Sequence, residues 1–432
     1  MQIHELYQIF LKHPVITTDT RKIQKGDIFF ALKGPNFNGN YFTEQALNAG
    51  ASYSVVDQEL NFADDRVIKC EDSLLTLQQL AKYHREQFNF TSESRQLPFI
   101  AITGSNGKTT TKELIHVVLS SVYKTYTTEG NLNNHIGIPL TILKIRNDAE
   151  AAVVEMGANH PREIEGYCKY VQPTHGLITN FGRAHLEGFG TIEGVRRAKS
   201  ELFNYLRENG GTAFINADDE FMVMFSAGIK NIISYGTTNG QVRGKILDSS
   251  TFLKVSVSGD IIIEDIHTQL VGEYNLPNIL AAVTIGNYFN VPGIKIKAAI
   301  ENYLPSNSRS QMITKNSNTI ILDAYNANPD SMKAAIENFA KMKGNNKVLM
   351  LGAMMELGKE SQLEHEQILN IIKQFKWNKV VLVGNAFKEI KNPFINFENS
   401  TEANKWYKEQ HLQNANILIK GSRSMQMEKV LE

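Results

Sequence analysis

The stretch Phe99 to Thr111, FIAITGSNGKTTT, constrains this chain more than any other. A short apolar run reads as a buried strand; it stops at a glycine-rich turn, and the polar residues beyond open a helix. Gly104 and Gly107 let the backbone come close to an anion, while the N–H groups around Ser105 and Asn106 and the helix N-terminus point at it. Lys108 adds a mobile positive charge, and the Thr109 hydroxyl, with Thr110 beside it, falls where a phosphate-bound Mg²⁺ takes a ligand. The general phosphate-loop pattern asks for a glycine where this chain has Ile102, so the loop is a shortened version. A strand, a polar turn and an ordinary surface lysine would be the bland alternative, but strand, loop and helix all agree on a phosphate clamp.

A chain of 432 residues exceeds one ordinary core and predicts two or three domains. Its 45 basic and 45 acidic residues balance, which argues against a nucleic-acid surface and leaves room for a local anion pocket. Cys70 and Cys168 are the only cysteines, with no CxxC spacing, as suits a reducing cytosol and disfavours a thiolate metal site. The opening MQIHELYQIFLKHP has no basic segment followed by an apolar run, so a cytoplasmic protein without membrane insertion is expected.

Strand and helix patterns then alternate along the chain, which predicts an α/β fold of three domains. Residues 1–95 read as a small α/β domain: a helix at 3–11, a strand in GDIFFALKG, a polar helix through Ala46, a strand in ASYSVVD and a helix at 74–88. PNFNGNYF reads as a surface loop, and TSESRQ as the boundary. Residues 96–304 form a central, P-loop ATPase-like domain with a mostly parallel sheet, whose strands AAVVEMG and GLITNFG stop at glycines. Between Ile232 and Val271 short β-branched runs predict an antiparallel edge, and NLPNILAAVTIGNYF returns to helix, with Pro277 in its first turn. Residues 305–432, with four strands and intervening helices, read as a doubly wound, Rossmann-like domain. A multi-substrate site would lie between such domains.

Several residues could carry chemistry. Glu155 ends an apolar strand beside the phosphate loop, where a carboxylate can hold Mg²⁺ or a water. His185, in the glycine-rich GRAHLEGFG, is a candidate for metal or phosphate contact. Lys199, flanked by Arg196 and Arg197 on a helix, reads from composition alone as solvated. In LDAYNANP, Asp323 closes a strand, Tyr325 offers a flat ring, and Asn326 and Asn328 offer amides before Pro329 starts a helix. Such a segment is a capped loop or an adenosine contact. Lys420 and Arg423, in KGSRSMQME, stand at a strand end where they could meet a carboxylate or phosphate, Arg423 as a bidentate fork.

Together these stretches resemble the Mur ligase family, the ATP-dependent amide-forming enzymes of peptidoglycan precursor synthesis. TGSNGKTT is the family's shortened loop, and GNLNNHIGIPLT, VVEMGANHPREI, AHLEGFG, AKSELF, GEYNLPNILAA, AYNANPDSM, LGAMMELG and KGSRS follow in the family's order across the whole chain. AHLEGFG, NLNNHIGIP and GANH point to the member that joins D-Ala-D-Ala to UDP-MurNAc-tripeptide, and so to a role in cell-wall biogenesis. The resemblance implies that Lys108 and Thr109 handle the ATP phosphates and a first Mg²⁺, and that Glu155 and His185 bind the cations, two in all. It revises Lys199 to a carbamylated lysine holding the second Mg²⁺. It assigns Asn275, Arg309, Asp323 and Tyr325 to the nucleotide, with Asn326 and Asn328 near nucleotide and incoming amine. It gives the uridine diphosphate to Thr20 and Arg21 in a TDSR-like turn and to Lys33 and Gly34, and the muramoyl peptide to Asn131, Asn134, Asn159 and His160. A monomer that closes its C-terminal domain over the central one is expected.

The chain departs from the family in places. Thr20 replaces a serine, Asn38-Gly39-Asn40 stands where aspartate-glycine-histidine is usual, Gly182 and Arg183 precede AHLEGFG where smaller neutral residues are expected, and Ala353 replaces a common aspartate. Alternatives are a sibling ligase or a folylpolyglutamate synthase-like enzyme adding one amino acid. A different class is a non-catalytic ATP-binding switch, which should have lost one of Lys108, Thr109, Glu155, His185 or Lys199.

Overall fold

A computed structural model describes residues 1–89, 97–306 and 308–432. The stretch TSESRQ, expected as the first boundary, lies outside the described residues.

The first sheet has four parallel strands, Ile16–Thr17, Ile28–Phe30, Tyr53–Val56 and Val67–Lys69, side by side in chain order. All of Ile28–Phe30 is buried because both faces are covered. Ile28 and Phe30 meet Leu6, Phe10 and Leu80 of helices Ile3–Lys12 and Ser73–Gln87, while Phe29 meets Ala46 and Leu47 of helix Thr43–Asn48. The segment expected as a plain loop is more ordered than that: Lys33–Gly34 pairs antiparallel with Phe37–Asn38, and a 3₁₀ turn follows at Gly39–Phe42.

A nine-stranded sheet forms the centre. From one edge to the other it runs Ile263–His267, Lys254–Gly259, Val242–Asp248, Asn231–Gly236, Thr212–Asn216, His175–Ile178, Phe99–Thr103, Ala151–Glu155 and Thr125–Thr127. The expected antiparallel edge is the last three strands in sequence, while Asn231–Gly236, which was expected to belong to that edge, pairs parallel with Thr212–Asn216. Thr125–Thr127 is an edge strand that the sequence pattern did not reveal. Phe99–Thr103 lies between Ala151–Glu155 and His175–Ile178, so the chain leaves it toward one side of the sheet and returns on the other. Ligands of open α/β sheets bind at such a switch point, outside the carboxyl ends of the strands. Helix Lys108–Ser120 starts there and packs on helix Leu276–Tyr288, which is buried over most of its length and carries Pro277 in its first turn.

The last sheet has six strands in the order Gln311–Lys315, Asn318–Asp323, Asn416–Lys420, Lys347–Gly352, Lys379–Val383 and Ile395–Phe397. The four expected strands are the inner ones, all parallel. The two additional strands are edges: Gln311–Lys315 closes a hairpin, and Ile395–Phe397 is too short to show a pattern. The three units together make an α/β protein with mostly parallel sheets. Among the described residues no helix is long and apolar enough to cross a membrane.

Candidate active site

Backbone geometry shapes the phosphate loop. Gly104 has φ +139°, and a Cβ there would run into the hydroxyl of Thr179. Gly107, at φ +79°, is the N-cap of helix Lys108–Ser120, and no side chain caps that helix. Its first N–H groups are therefore left for an anion. The end of the neighbouring strand props the loop open: Asn180 Oδ1 accepts from Asn106 N at 3.0 Å, and the Asn106 carbonyl accepts from Thr179 Oγ1 at 2.6 Å and Asn180 Nδ2 at 2.9 Å. Lys108 is not the free charge expected. Its Nζ donates to the carbonyls of Gly104 at 2.7 Å and Ser105 at 3.2 Å. Desolvation pushes its ammonium below the usual lysine range, opposed by the charges of Glu155 and Glu356 and reinforced by Arg309.

Glu155 ends its strand 1 % exposed. Its Oε1 accepts from Asn133 Nδ2 at 2.7 Å, and its buried Oε2 has no partner. His185 stands in the left-handed region, φ +54°, at the start of the short helix Leu186–Phe189. Glu356, which the sequence reading passed over although LGAMMELG was noted, brings Oε2 to 2.6 Å from His185 Nδ1. The contact to His185 holds the Glu356 carboxyl below the usual carboxylate range. Lys199 is fully buried, against its composition-based reading as a solvated side chain. Its Nζ donates to the Ala158 carbonyl at 3.0 Å and lies 5.2 Å from the centre of the Phe189 ring. Desolvation, and then the charge of Lys108, drive its amine well below the usual range, toward the neutral form.

The C-terminal unit supplies the opposite wall. The Arg309 guanidinium lies 3.6 Å over the Tyr325 ring. Asp323 accepts from Ser310 N at 3.0 Å and pairs with Lys420 Nζ at 2.6 Å, so Lys420 serves Asp323 rather than standing free. Arg423 meets a carboxylate too, through a single contact of Nη1 to Glu428 at 3.0 Å rather than a bidentate fork, and lies 6.0 Å from the Tyr325 ring. Asn328 caps helix Pro329–Lys341, and its Nδ2 donates to Asn106 Oδ1 of the phosphate loop at 2.7 Å. The segment is therefore a capped loop, as one sequence reading has it, and it also reaches the phosphate loop.

One cavity of about 940 Å³ gathers most of these groups. Asn106 to Thr110, Asn131, Asn134, Glu155, Asn159, His160, His185, Asn275, Arg309, Asp323, Tyr325, Asn326, Asn328, Lys420 and Arg423 all line it. Several are engaged locally: Asn134 accepts from Gly137 N, His160 N donates to Glu163, and Asn275 donates to the Val271 carbonyl. Gly104 and Lys199 lie behind the lining, and Lys199 reaches it through Ala158. Thr20, Arg21, Lys33 and Gly34 are outside this cavity. Arg21 forks onto Asp19 with two contacts of 2.8 Å, which hold the Asp19 carboxyl down at about 2. Lys33 pairs with Asp57 at 3.0 Å, and Asp57 also accepts from the amide of Asn40 at 2.8 Å, so the Asn38 to Asn40 departure is built into a hydrogen-bonded loop. Beside Glu356, sequence reasoning gave no weight to Asn133, Thr179 and Asn180. Each sits in a quoted motif, but only the fold shows what it props.

The donor set bears on a hard cation. Among the described residues no three His, Cys, Asp or Glu side chains converge to hold a metal by themselves. The unpartnered Glu155 Oε2, His185 and the Thr109 hydroxyl suit Mg²⁺ when phosphate oxygens complete its shell.

Three family models match the chain in series: "Mur ligase family, catalytic domain" over residues 14–85, "Mur ligase middle domain" over 102–286, and "Mur ligase, glutamate ligase domain" over 308–423. The UDP-N-acetylmuramoyl-tripeptide–D-alanyl-D-alanine ligase of Bacillus subtilis is 33 % identical over 430 residues, covering 96 % of this chain and 92 % of its own. A crystal structure of MurF from Acinetobacter baumannii superposes with a TM-score of 0.88 at 31 % identity, covering 100 % of this chain and 97 % of that one. MurF ligase from Thermotoga maritima in complex with ADP gives 0.85 at 26 % identity, covering 98 % and 97 %.

Proposed function

The chain belongs to the Mur ligase family, and from that premise we propose how its cavity performs an amide ligation. The protein is an ATP-dependent ligase that adds D-Ala-D-Ala to UDP-MurNAc-tripeptide, a step of peptidoglycan synthesis. The observation that carries the mechanism is the facing of two walls: the uncapped helix N-terminus with Lys108 and Glu155 on one side, and Arg309, Tyr325 and Asp323 on the other. The single-amino-acid ligases and the switch protein are not favoured, because the full-length relatives add the dipeptide and all five site residues are present.

ATP lies with its phosphates on the loop from Gly104 to Thr110 and its nucleoside toward Asn275, Arg309, Asp323 and Tyr325. An oxygen of the tripeptide's terminal carboxylate attacks the γ-phosphorus, ADP leaves, and an acyl phosphate results. The dipeptide amine attacks the acyl carbon, loses its proton, and expels inorganic phosphate. Lys108 and the helix N-terminus meet the charge that gathers on the transferring oxygens. Thr109, Glu155 and His185 would hold Mg²⁺, which supplies Lewis-acid neutralisation of the phosphate charge. The buried Lys199 amine, pushed toward its neutral form, can add CO₂ and lose a proton to become a carbamate, an anion suited to a second Mg²⁺. Asn131, Asn134, Asn159 and His160 face the muramoyl peptide, Asn326 and Asn328 the amine, and Thr20, Arg21, Lys33 and Gly34 the uridine diphosphate. Lys420 and Arg423 support that end of the cavity through Asp323 and Tyr325. The working units are residues 1–95, 96–304 and 305–432, in a cytoplasmic monomer.

Phosphate release with UDP-MurNAc-tripeptide, ATP and Mg²⁺ tests the reading. Release should require D-Ala-D-Ala and yield UDP-MurNAc-pentapeptide by mass spectrometry. Equal release with a single amino acid would overturn it.

A further inference from the structure

Arg183 is out of place by the family's pattern, which puts a small neutral residue before AHLEGFG, and the mechanism does not use it. It joins the central unit to the C-terminal one. Its backbone N donates to Asp330 Oδ2 at 2.6 Å, while Nε and Nη2 both reach Asp330 Oδ1, at 3.1 and 3.0 Å. Its Nη1 donates to Glu364 at 2.9 Å and, more weakly, to Gln367 at 3.4 Å. Glu364 is 5 % exposed, so half of this ion network is out of water. Asp330 stands in the first turn of helix Pro329–Lys341, whose N-cap Asn328 reaches the phosphate loop. Gly182 makes the approach possible: a Cβ there would come within 2.9 Å of Asp330 Oδ2 and 3.0 Å of Asn106 Nδ2.

We infer that Arg183 is a positioning residue, a latch that holds the C-terminal wall in register over the phosphate loop. The inference deepens the ligase reading and rests on it. A guanidinium serves two carboxylates from separate edges of a rigid, planar fork, whereas a lysine offers one compact ammonium on a flexible stem. Two such contacts at separated points fix orientation as well as distance. Arg309, Tyr325 and the amine-facing Asn326 all ride on the latched unit.

The test compares wild-type protein with Arg183→Ala and Arg183→Lys. In Arg183→Ala, kcat should fall and KM for D-Ala-D-Ala should rise, together lowering kcat/KM by about tenfold to a hundredfold. The Kd for UDP-MurNAc-tripeptide alone should not move, and Arg183→Lys should recover part of the loss. With an ATP analogue and UDP-tripeptide both present, small-angle scattering should show a compact wild type and an extended Arg183→Ala. A lower kcat at unchanged KM, with wild-type compaction, would mean fewer active molecules and would overturn the latch. Should Arg183→Ala fail to fold, Glu364→Gln, which keeps shape and removes one charge, should show the same KM shift. If the wild type itself makes no pentapeptide, the ligase reading fails, while the scattering comparison still decides whether Arg183 holds the units together.

Discussion

Against the N-terminal unit the central unit presents a dry seam, whereas against the C-terminal unit it presents a polar one that lines the cavity. In the dry seam, helix Ser73–Gln87 packs on helices Gly137–Lys144 and Glu163–Val171. Arg85, fully buried, donates to the carbonyls of Val171 at 3.0 Å and Gln172 at 2.8 Å, and its guanidinium lies 3.9 Å over the Phe99 ring. His84 bridges the Tyr7 hydroxyl, at 3.0 Å, and the Ile145 carbonyl, at 2.8 Å. In the polar seam, the short helix Leu186–Phe189 packs on the turn Gly358–Glu360, and polar contacts cross beside it: Arg183 on Asp330 and Glu364, Asn328 on Asn106, Glu356 on His185, Lys341 on Glu273, the Tyr274 hydroxyl on Ser310, and Glu187 N donating to the Glu356 carbonyl at 3.1 Å. Separating the first would expose the packed apolar side chains of these helices, among them Leu77, Leu80, Ile138, Ile142 and Val171, to water, which is costly. Separating the second exchanges half-exposed bonds for water. The difference teaches which joint can move: the seam beside the proposed uridine-binding unit stays shut, and the seam that must admit ATP and dipeptide can open.

The largest effect should come from chemistry at the polar seam with neither seam disturbed. Lys108→Ala should lower turnover by about a thousandfold, as loss of a charge-stabilising donor does, with unchanged scattering. A changed scattering profile would instead make Lys108 part of the joint. Next is the dry seam. Arg85→Met leaves the Val171 and Gln172 carbonyls without their donors, and should cost about 3–4 kcal/mol in urea denaturation while leaving KM for D-Ala-D-Ala unchanged. A cost near that of a surface substitution would show that the seam is wet.

His84 sharpens the same contrast through pH. Burial lowers its folded pKa from 6.5 to about 4. Between those values the unfolded chain binds a proton that the folded one does not, so this contribution is complete above pH 6.5 and is lost as pH falls toward 4. The loss should reach about 3 kcal/mol, at about 1.4 kcal/mol per pH unit. His84→Gln, which keeps a donor and an acceptor, should flatten that part of the stability profile. An unchanged slope would show that His84 is not the residue that titrates.

The legible parts of this protein were those with local cause. The strand, loop and helix around Gly104 to Thr110 follow from turn chemistry and apolar runs, and they stand at the switch point of the central sheet. Edge strands were harder to read. Thr125–Thr127 and Ile395–Phe397 are short and half-buried, so neither an alternation nor an apolar run marks them. Lys199 shows the limit of reading charge from composition: its neighbours on the helix look solvated, and only the packing of that helix face on Ala158 and Phe189 puts it inside. Glu356 and Arg183 act across the polar seam, and their partners are more than a hundred residues away in the chain. No local pattern reports such pairs.

The smallest predicted effect separates the two walls of the cavity. Arg309 covers one face of the Tyr325 ring at 3.6 Å, a cation–π contact between two half-buried side chains. Such a contact at a partly exposed site is worth about 1 kcal/mol. It keeps the guanidinium and the ring in one orientation, so that a nucleoside arriving at this wall meets a preformed surface. Tyr325→Ala removes the surface and the contact together, and KM for ATP should rise about fivefold with kcat little changed, because the phosphate loop lies on the opposite wall. Tyr325→Phe keeps the ring under Arg309 and should behave as wild type. KM for UDP-MurNAc-tripeptide should stay constant in both variants, since the proposed uridine contacts lie beyond the dry seam. If it rose in step with that for ATP, the two seams would be coupled, and the distinction between a fixed joint and a moving one would fail.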